Sequence, residues 1–461
     1  FRGQQIFITG TTGFVGKCVL EKVLRELQDV QTVYILIRAK KGASPQQRAQ
    51  REIATSPIFN LLRSTMDDFD AYFEKKVVAV AGDINQDFMG LSQEDLARVS
   101  SSVNFLIHCA ANVDFNERLD GAITTNCRGP LRMMRLAERC PNLKAYVHVS
   151  TAYVNCNRPS GSLVAEELPL CQSDGEQVMK EIEKLAVPEL EARTRALLQA
   201  EKYPNTYTFT KAMGEKLLHK YHGNIPVAIV RPTIIGAAWR EPAPGWVDTV
   251  SAGGALFLSG GMGFMPVQSG DPELVGDQIP VDLVTNAILV AAAEACSKGP
   301  GFFRIYHSGS STRNPVRWSL CAEAVARFWK KRPSSKSQLK CQYTMVKNPL
   351  VYHWRYLRLV SLPALALGVY SKLSSSEQVK KKSAMFNKVM KRSRTLAETF
   401  HHFVNNEWFY ESKNLLAASA SMPDRDRSSF PVDPAPINWR QYLDDFSWGL
   451  QRFILRDDVA P

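Results

Sequence analysis

The sequence holds no CxxC pair, no His-rich spacing and no apolar run long enough to span a bilayer. Its nine cysteines, at 18, 109, 127, 140, 156, 171, 296, 321 and 341, are odd in number and follow no framework spacing. That argues against a disulfide scaffold and a zinc site, and predicts reduced thiols, an intracellular protein and no bound metal. There is no GxxxxGK[ST] loop, which argues against a P-loop ATPase. The formal net charge is +12, yet no DNA- or RNA-binding motif accompanies it. The charge therefore points to an anionic membrane surface or a polyanionic small molecule, and away from nucleic acid. There is no signal peptide and no initiator Met. The chain opens directly on a strand pattern and reads as a fragment of a longer product, with targeting information missing.

What is there begins with Ile6-Phe-Ile-Thr-Gly-Thr-Thr-Gly-Phe-Val-Gly16. A short apolar run is followed by glycines at 10, 13 and 16. Then comes a helical period, Val15, Val19, Leu20, Val23, Leu24 and Leu27. A buried strand, a tight turn and a helix start in succession make an anion site from free N–H groups and the helix dipole. The expected occupant is a dinucleotide pyrophosphate. A second strand, Thr32 to Ile37, ends at Arg38. An acid at that place takes a ribose 2′-hydroxyl, whereas an Arg suits a 2′-phosphate, so the expected cofactor is NADP(H).

Three further strands are expected at 77–81, 103–107 and 145–149, with helices between them. This alternation predicts an α/β fold, a Rossmann-type doubly wound parallel sheet with a substrate lobe. Asp83 and Ile84 follow the third strand, where Asp83 either bonds an adenine or caps a turn. Small residues at 109–111, among them Ala110 and Ala111, let the backbone pass close to a cofactor, and the next helix carries Asn126. Residues 156–205 are polar and read as an insertion with a helical section from Glu176 to Lys202, interrupted at Pro188, which forms a substrate-facing lid or a solvated decoration. The glycine-rich stretch 253–263 is expected to form an irregular loop over the site. We expect a reductase domain over 1–330, a basic Ser/Pro-rich linker over 331–348, and a smaller, mainly helical C-terminal domain over 349–461. In that last part, Leu359 to Tyr370 is apolar and flanked by Arg355, Arg358 and Lys372. It is a plain buried helix, an acyl-tunnel wall or a segment dipping into a membrane interface. The basic cluster from Lys380 to Arg394 is a solvated face, or meets phospholipid or the phosphates of a nucleotide thioester.

Tyr207 and Lys211 are four apart and share a helix face. A free Tyr has a pKa near 10, and a neighbouring ammonium is expected to lower it. The same Lys is placed to hold nicotinamide ribose hydroxyls. Ser150 or Thr151, at the end of the fifth strand, offers a hydroxyl to a carbonyl oxygen. Together these groups make a proton donor, its electrostatic tuner and an oxyanion partner beside a hydride donor.

With these residues in view, the chain resembles the alcohol-forming fatty acyl-CoA reductases of the extended short-chain dehydrogenase/reductase superfamily. TGTTGFVG, Arg38, HCAANVDFNE, HVSTAYVN, YTFTK and VRPTIIGAAWREPAPGW occur in that family's order. The region after 349 resembles its male-sterility domain, loosely at Pro349 to Pro363 and Phe400 to Trp408. The resemblance implies reduction of a long-chain acyl-CoA by NADPH, through an enzyme-bound aldehyde, to a primary alcohol and free CoA. It implies that Tyr207 protonates the alkoxide, that Lys211 tunes it and binds ribose, and that Thr151 or Ser150 holds the substrate oxygen. Gly10, Thr12, Gly13, Phe14, Val15 and Gly16 would line the pyrophosphate, Arg38 the 2′-phosphate, and Asp83 and Ile84 the adenine. Ala110, Ala111, Asn126, Pro232, Thr233 and Ile234 would complete the cofactor site.

Acyl length would depend on residues of the insertion or of 350–370. The implied setting is membrane-associated, at the peroxisome or alternatively the endoplasmic reticulum, with a possible homodimer. The hydrophobic C-terminal tail frequent in the family does not occur before Pro461. Rival readings are a thioester reductase that stops at the aldehyde, a sugar-nucleotide epimerase or dehydratase, and a non-catalytic membrane-associated binding protein.

Overall fold

The computed structural model describes residues 1–459 except 41, 251 and 338. Its centre is a seven-stranded sheet, every neighbouring pair parallel, in the order β11-β7-β5-β4-β1-β2-β3. The strands are β1 (Gln5–Thr9), β2 (Thr32–Ile37), β3 (Val77–Ala81), β4 (Phe105–His108), β5 (Ala145–Val149), β6 (Ser162–Val164), β7 (Val227–Pro232), β8 (Ile234–Gly236), β9 (Val267–Ser269), β10 (Gln278–Pro280), β11 (Phe303–Ser308), β12 (Thr344–Val346) and β13 (Trp408–Tyr410). The short strands pair separately, β10 with β8, β12 with β9 and β13 with β6. The central strands are continuous apolar runs because helices cover both faces. Ile6, Ile8, Val33 and Ile35 face one core, and Phe7, Tyr34 and Leu36 the other. The strands expected at 32–37, 77–81 and 145–149 occur with those bounds, and the one expected at 103–107 runs from Phe105 to His108. The sheet is wider than the five-strand minimum because β7 and β11 extend it beyond β5.

The helices used below are α1 (Phe14–Glu26), α2 (Gln93–Ser102), α3 (Gly129–Glu138), α4 (Gly175–Ile182), α5 (Val187–Glu201), α6 (Thr206–Tyr221), α7 (Ala252–Gly261), α8 (Val281–Lys298), α9 (Trp318–Lys331), α10 (Pro349–Tyr356), α11 (Leu362–Leu373), α12 (Glu377–Val404), α13 (Lys413–Ala420) and α14 (Trp439–Gly449). Ser92 caps α2 by accepting from Asp95 N, as the local sequence requires. Pro188 opens α5 and does not break a longer helix.

Two expectations are corrected here. Residues 253–261 belong to a helix and not to an irregular loop. Burial of Leu256 and Phe257 outweighs the helix cost of glycine, and the glycines let bulky partners close in, Phe446 on Gly254 and Trp329 on Gly261. The 156–205 insertion is not a lid. Val178, Ile182, Leu190 and Leu197 bury against a side cluster with Phe209 and Met213 of α6, and no residue of 156–205 reaches the cavity described below.

Residues 349–404 and 408–457 behave differently. Segment Leu357–Ser361 continues α10 into α11 as a π turn, and α10 and α11 bury no side chain of their own. By contrast β13 returns to pair with β6, and α14 drives Tyr442, Leu443 and Phe446 into the same core as Ile6 and Ile8. Tyr442 stands so close to Gly236 that any Cβ there would collide with its hydroxyl, which donates to Ala237 O at 3.0 Å. Among the described residues no helix is long and apolar enough to cross a membrane.

Candidate active site

A strand order that reverses direction leaves a crevice at the C-terminal ends of the strands flanking the switch point. Here β2 and β3 lie on one side of β1, while β4, β5, β7 and β11 lie on the other. Chain segments leaving β1 and β4 face each other at that crevice. Gly10 has φ 79° there, and a Cβ on it would sit 2.8 Å from Ala110 N. Both conditions demand glycine. Gly13 then serves as the N-cap of α1 with no side-chain hydrogen bond, so the first N–H groups of α1 are left for a ligand. Phe14 stacks on Trp246 with ring centres 5.4 Å apart, and the Lys17 ammonium pairs with Asp248. These contacts hold residues 246–250 beside the turn.

One cavity of about 1200 Å³ opens from this crevice. Gly10, Thr12, Gly13, Phe14, Val15, Gly16, Arg38, Asp83, Ile84, Ala110 and Ala111 line one end of it. Ser150, Thr151, Tyr207, Pro232, Thr233 and Ile234 line it too. Asp83 Oδ1 also accepts from Asn85 N at 2.9 Å, so it caps its own turn while facing the cavity.

Tyr207 is placed by the start of α6. Asn205 caps that helix by accepting from Thr208 N at 2.9 Å, and Thr206 Oγ1 donates to Glu117 O at 2.8 Å. Burial pushes the Tyr207 phenol up to about 12, against a smaller opposing effect from its hydrogen bond with Thr151. The phenol is therefore a fully protonated donor at neutral pH. Thr151 also accepts from Tyr153 N at 3.3 Å, which turns its hydroxyl toward the phenol. Ser150 Oγ is buried and has no partner within the described protein, which leaves it as an acceptor or donor for a ligand oxygen.

Two expectations change at this point. Lys211 does not line the cavity. The residue is 1% exposed and its ammonium donates to Val149 O at 2.9 Å, the carbonyl immediately before Ser150. It anchors the end of β5, and burial of the phenol outweighs any lowering by the ammonium. Burial draws the Lys211 pKa down to about 8, opposed most by Glu215. Beneath it His108 and His148 stack with ring centres 5.4 Å apart. Burial and then Lys211 push His108 down to about 3 and His148 well below its ordinary range, so both rings are neutral. Asn126 likewise stands behind the wall. Its amide accepts from Asn112 N and donates to Asn112 O, both at 3.1 Å, bracing the loop that leads to Phe115.

The other wall comes from a region whose sequence is polar. Leu396, Thr399, Phe400, Phe403 and Val404, at the end of α12, all line the cavity. Phe115 stacks on Tyr207 at 5.5 Å and meets Phe400 and Phe403 at 5.7 and 5.6 Å. Neither the insertion nor residues 350–370 contribute, so the expected tunnel wall is moved to 396–404. The available signal is the Phe400 to Trp408 segment, which sets Phe400 and Phe403 at the end of an otherwise basic helix and Trp408 on β13.

Two family models, both described as male sterility protein, match residues 8–288 and 359–457. Fatty acyl-CoA reductase 1 of Mus musculus is 30% identical over 460 residues, covering 100% of this chain and 86% of its own. Fatty acyl-CoA reductase 2 of Bos taurus is also 30% identical with the same coverage. The chain belongs to the male sterility family of fatty acyl-CoA reductases. It is an oxidoreductase, and its first domain binds a nicotinamide cofactor. Among solved structures, the terminal R domain of a myxalamid PKS-NRPS pathway superposes with TM-score 0.61 at 20% identity, covering 99% of this chain and 92% of that one. The R domain of a Mycobacterium tuberculosis nonribosomal peptide synthetase gives 0.59 at 18%, covering 98% and 92%. At those identities the likeness concerns the fold, which this family member shares from end to end.

Proposed function

We propose that the protein reduces a long-chain fatty acyl-CoA to the primary alcohol with two NADPH, through a bound aldehyde, releasing CoA. The observation that carries this reading is one continuous cavity of about 1200 Å³. It joins an uncapped helix start and Arg38 to the Tyr207–Thr151 pair and then to an aromatic wall. The uncapped N–H groups of α1 fit a pyrophosphate, and Arg38 at the end of β2 fits a 2′-phosphate, which favours NADPH over NADH. When bound, that cofactor supplies hydride to the carbonyl carbon.

The chain's own residues do the rest. Thr151 and the free Ser150 hydroxyl hold the substrate oxygen, and Tyr207 protonates it as charge develops. Collapse of the resulting thiohemiacetal breaks the C–S bond, so CoA leaves as thiol and the aldehyde carbonyl re-forms. Reduction of the aldehyde at the same carbon uses the same three hydroxyls, with Tyr207 again giving the proton to its oxygen. Lys211 holds Val149 and with it the two hydroxyl residues that follow. Phe115 covers the phenol, with Phe400 and Phe403 packed on Phe115, and together they exclude water from the reacting carbon.

The test is to mix the protein with NADPH and palmitoyl-CoA, follow cofactor oxidation and identify the lipid by mass. Alcohol from the parent, and roughly 10²–10⁴-fold less turnover from Tyr207→Phe, is the expected result. Aldehyde alone would move the assignment to a reductase that stops one step earlier. Bound NADPH without consumption across several chain lengths would overturn the acyl-CoA reading. Arg38→Ala is expected to raise the NADPH KM while leaving that for NADH nearly unchanged.

A further inference from the structure

The stretch from 349 to 397 carries ten Lys or Arg against one acid, Glu377, a net of +9 out of the chain's +12. It also carries an unusual amount of bare apolar surface. Of seventeen exposed large hydrophobic residues among the described ones, nine fall between Leu350 and Leu373. Leu350, Trp354 and Leu357 follow helical spacing along α10 and its π turn, and Leu362, Leu365, Val369 and Leu373 do so along α11. Leu350 and Leu373 are 80% and 82% exposed. Monomers rarely leave a contiguous ridge of this kind uncovered.

Next to the ridge, α12 packs along α11 and exposes Lys380, Lys381, Lys382, Lys388, Lys391 and Arg392. Of these only Lys380 has a carboxylate partner, Glu377 at 2.9 Å. An apolar ridge of Trp and Leu bordered by unpaired cations has the chemistry of a helix lying in a headgroup layer. A cluster of six Lys and Arg on a helix beside an apolar ridge is the pattern that recognises anionic lipid headgroups.

We propose that α10, α11 and the first half of α12 form a surface that docks on an anionic phospholipid bilayer. The ridge enters the acyl boundary and the α12 cations lie at headgroup level. The docked surface and the cavity wall share one helix. Lys380 to Arg392 occupy its first part, and Leu396 to Val404 close the cavity at its end. Resting on the acyl-CoA reading above, this brings the apolar wall of the cavity within one helix length of the bilayer, about 40 Å. The docking itself requires no reductase activity.

The test is flotation of the chain with vesicles of phosphatidylcholine alone and with phosphatidylglycerol added. Binding is expected only with the anionic lipid and is expected to fall at high salt. The triple variant Lys380→Gln, Lys381→Gln, Lys382→Gln is expected to bind roughly 100-fold more weakly. Leu365→Ser with Leu373→Ser is expected to weaken binding at both salt concentrations. Circular dichroism and vesicle-free NADPH oxidation on palmitoyl-CoA should stay at parental values in both variants, because these side chains touch neither the core nor the cavity. Equal binding to both lipids, parental binding by the variants, or absence of binding would overturn the proposal. So would a vesicle-free dimer in sedimentation that Leu365→Ser dissociates, since the ridge would then cover a second copy. Failure of docking with intact alcohol formation would remove only this inference.

Discussion

The two halves of the C-terminal region solve opposite problems. Between 349 and 404 the helices lean on the molecule by one narrow side and turn Leu, Trp and Lys to solvent. Between 408 and 457 the chain does the reverse. Trp408 and Tyr410 enter the side core, and Tyr442, Leu443, Phe446 and Leu450 enter the central one. Sequence neighbours matched by one family model thus differ in what they hold together. The second is part of the reductase core, whereas the first meets it mainly at its end, where Leu396 to Val404 line the cavity, and leaves most of its remaining surface to solvent. Burial, and not position in the chain, separates structural residues from available ones.

The largest effect that tests this contrast is on stability. Phe446→Ala removes a side chain 1% exposed and is expected to cost about 4 kcal/mol in urea unfolding. Leu365→Ser, at a position 65% exposed, is expected to stay within about 0.5 kcal/mol. Equal costs would break the comparison. The same contrast separates lysines. Those of α12 are solvated, while Lys211 is buried with a pKa near 8. kcat/KM is therefore expected to decline as pH rises through about 8, where Lys211 loses its charge. Lys211→Met is expected to lower kcat/KM about 100-fold and to abolish that limb.

Glu166 sharpens the picture of the returning segment. Its carboxylate accepts from His307 N at 2.8 Å and Asn414 N at 2.6 Å, joining the end of β6 to β11 and α13. Burial nonetheless raises its pKa from 4.5 to about 7. Between those values the folded chain keeps a proton that the unfolded chain has lost, so this group's contribution to stability falls as pH rises and is lowest above 7. Urea midpoints at pH 5 and 7.5 are expected to show a loss of about 1–2 kcal/mol that Glu166→Gln reduces. Phe403→Ala, at the junction of the two halves, is expected to raise the acyl-CoA KM roughly 10-fold, about 1.4 kcal/mol, and to leave the NADPH KM unchanged.

Much of the cofactor half was legible because its signals are local. A parallel strand buried on both faces is a continuous apolar run, and a phosphate turn needs glycines at fixed offsets, as at Gly10, Gly13 and Gly16. The substrate half was not legible, because its contacts join distant segments. Nothing near Phe403 signals Phe115 or Tyr153, which it meets across the cavity. Spacing put Lys211 on the face of Tyr207, but it cannot reveal that the ammonium reaches sideways to Val149 O. Asn126 was found by pattern, but only the folded loop shows its amide bonded to Asn112. Glycines at 253–261 signalled a loop, whereas they serve as contact points for Phe446, Tyr343 and Trp329.

The pairing of β13 with β6 carries a consequence for how the molecule is made. Trp408 lies opposite Ser162, and Phe446 fills a core begun at Ile6. On the ribosome, at roughly 5–20 residues per second, the first strands wait about 20–90 s for the residues that finish their core. Throughout that interval the sheet's apolar face lacks its last cover. Such long-range closure is slow in any event, and the nascent protein is a natural client for chaperones until residues 408–457 emerge.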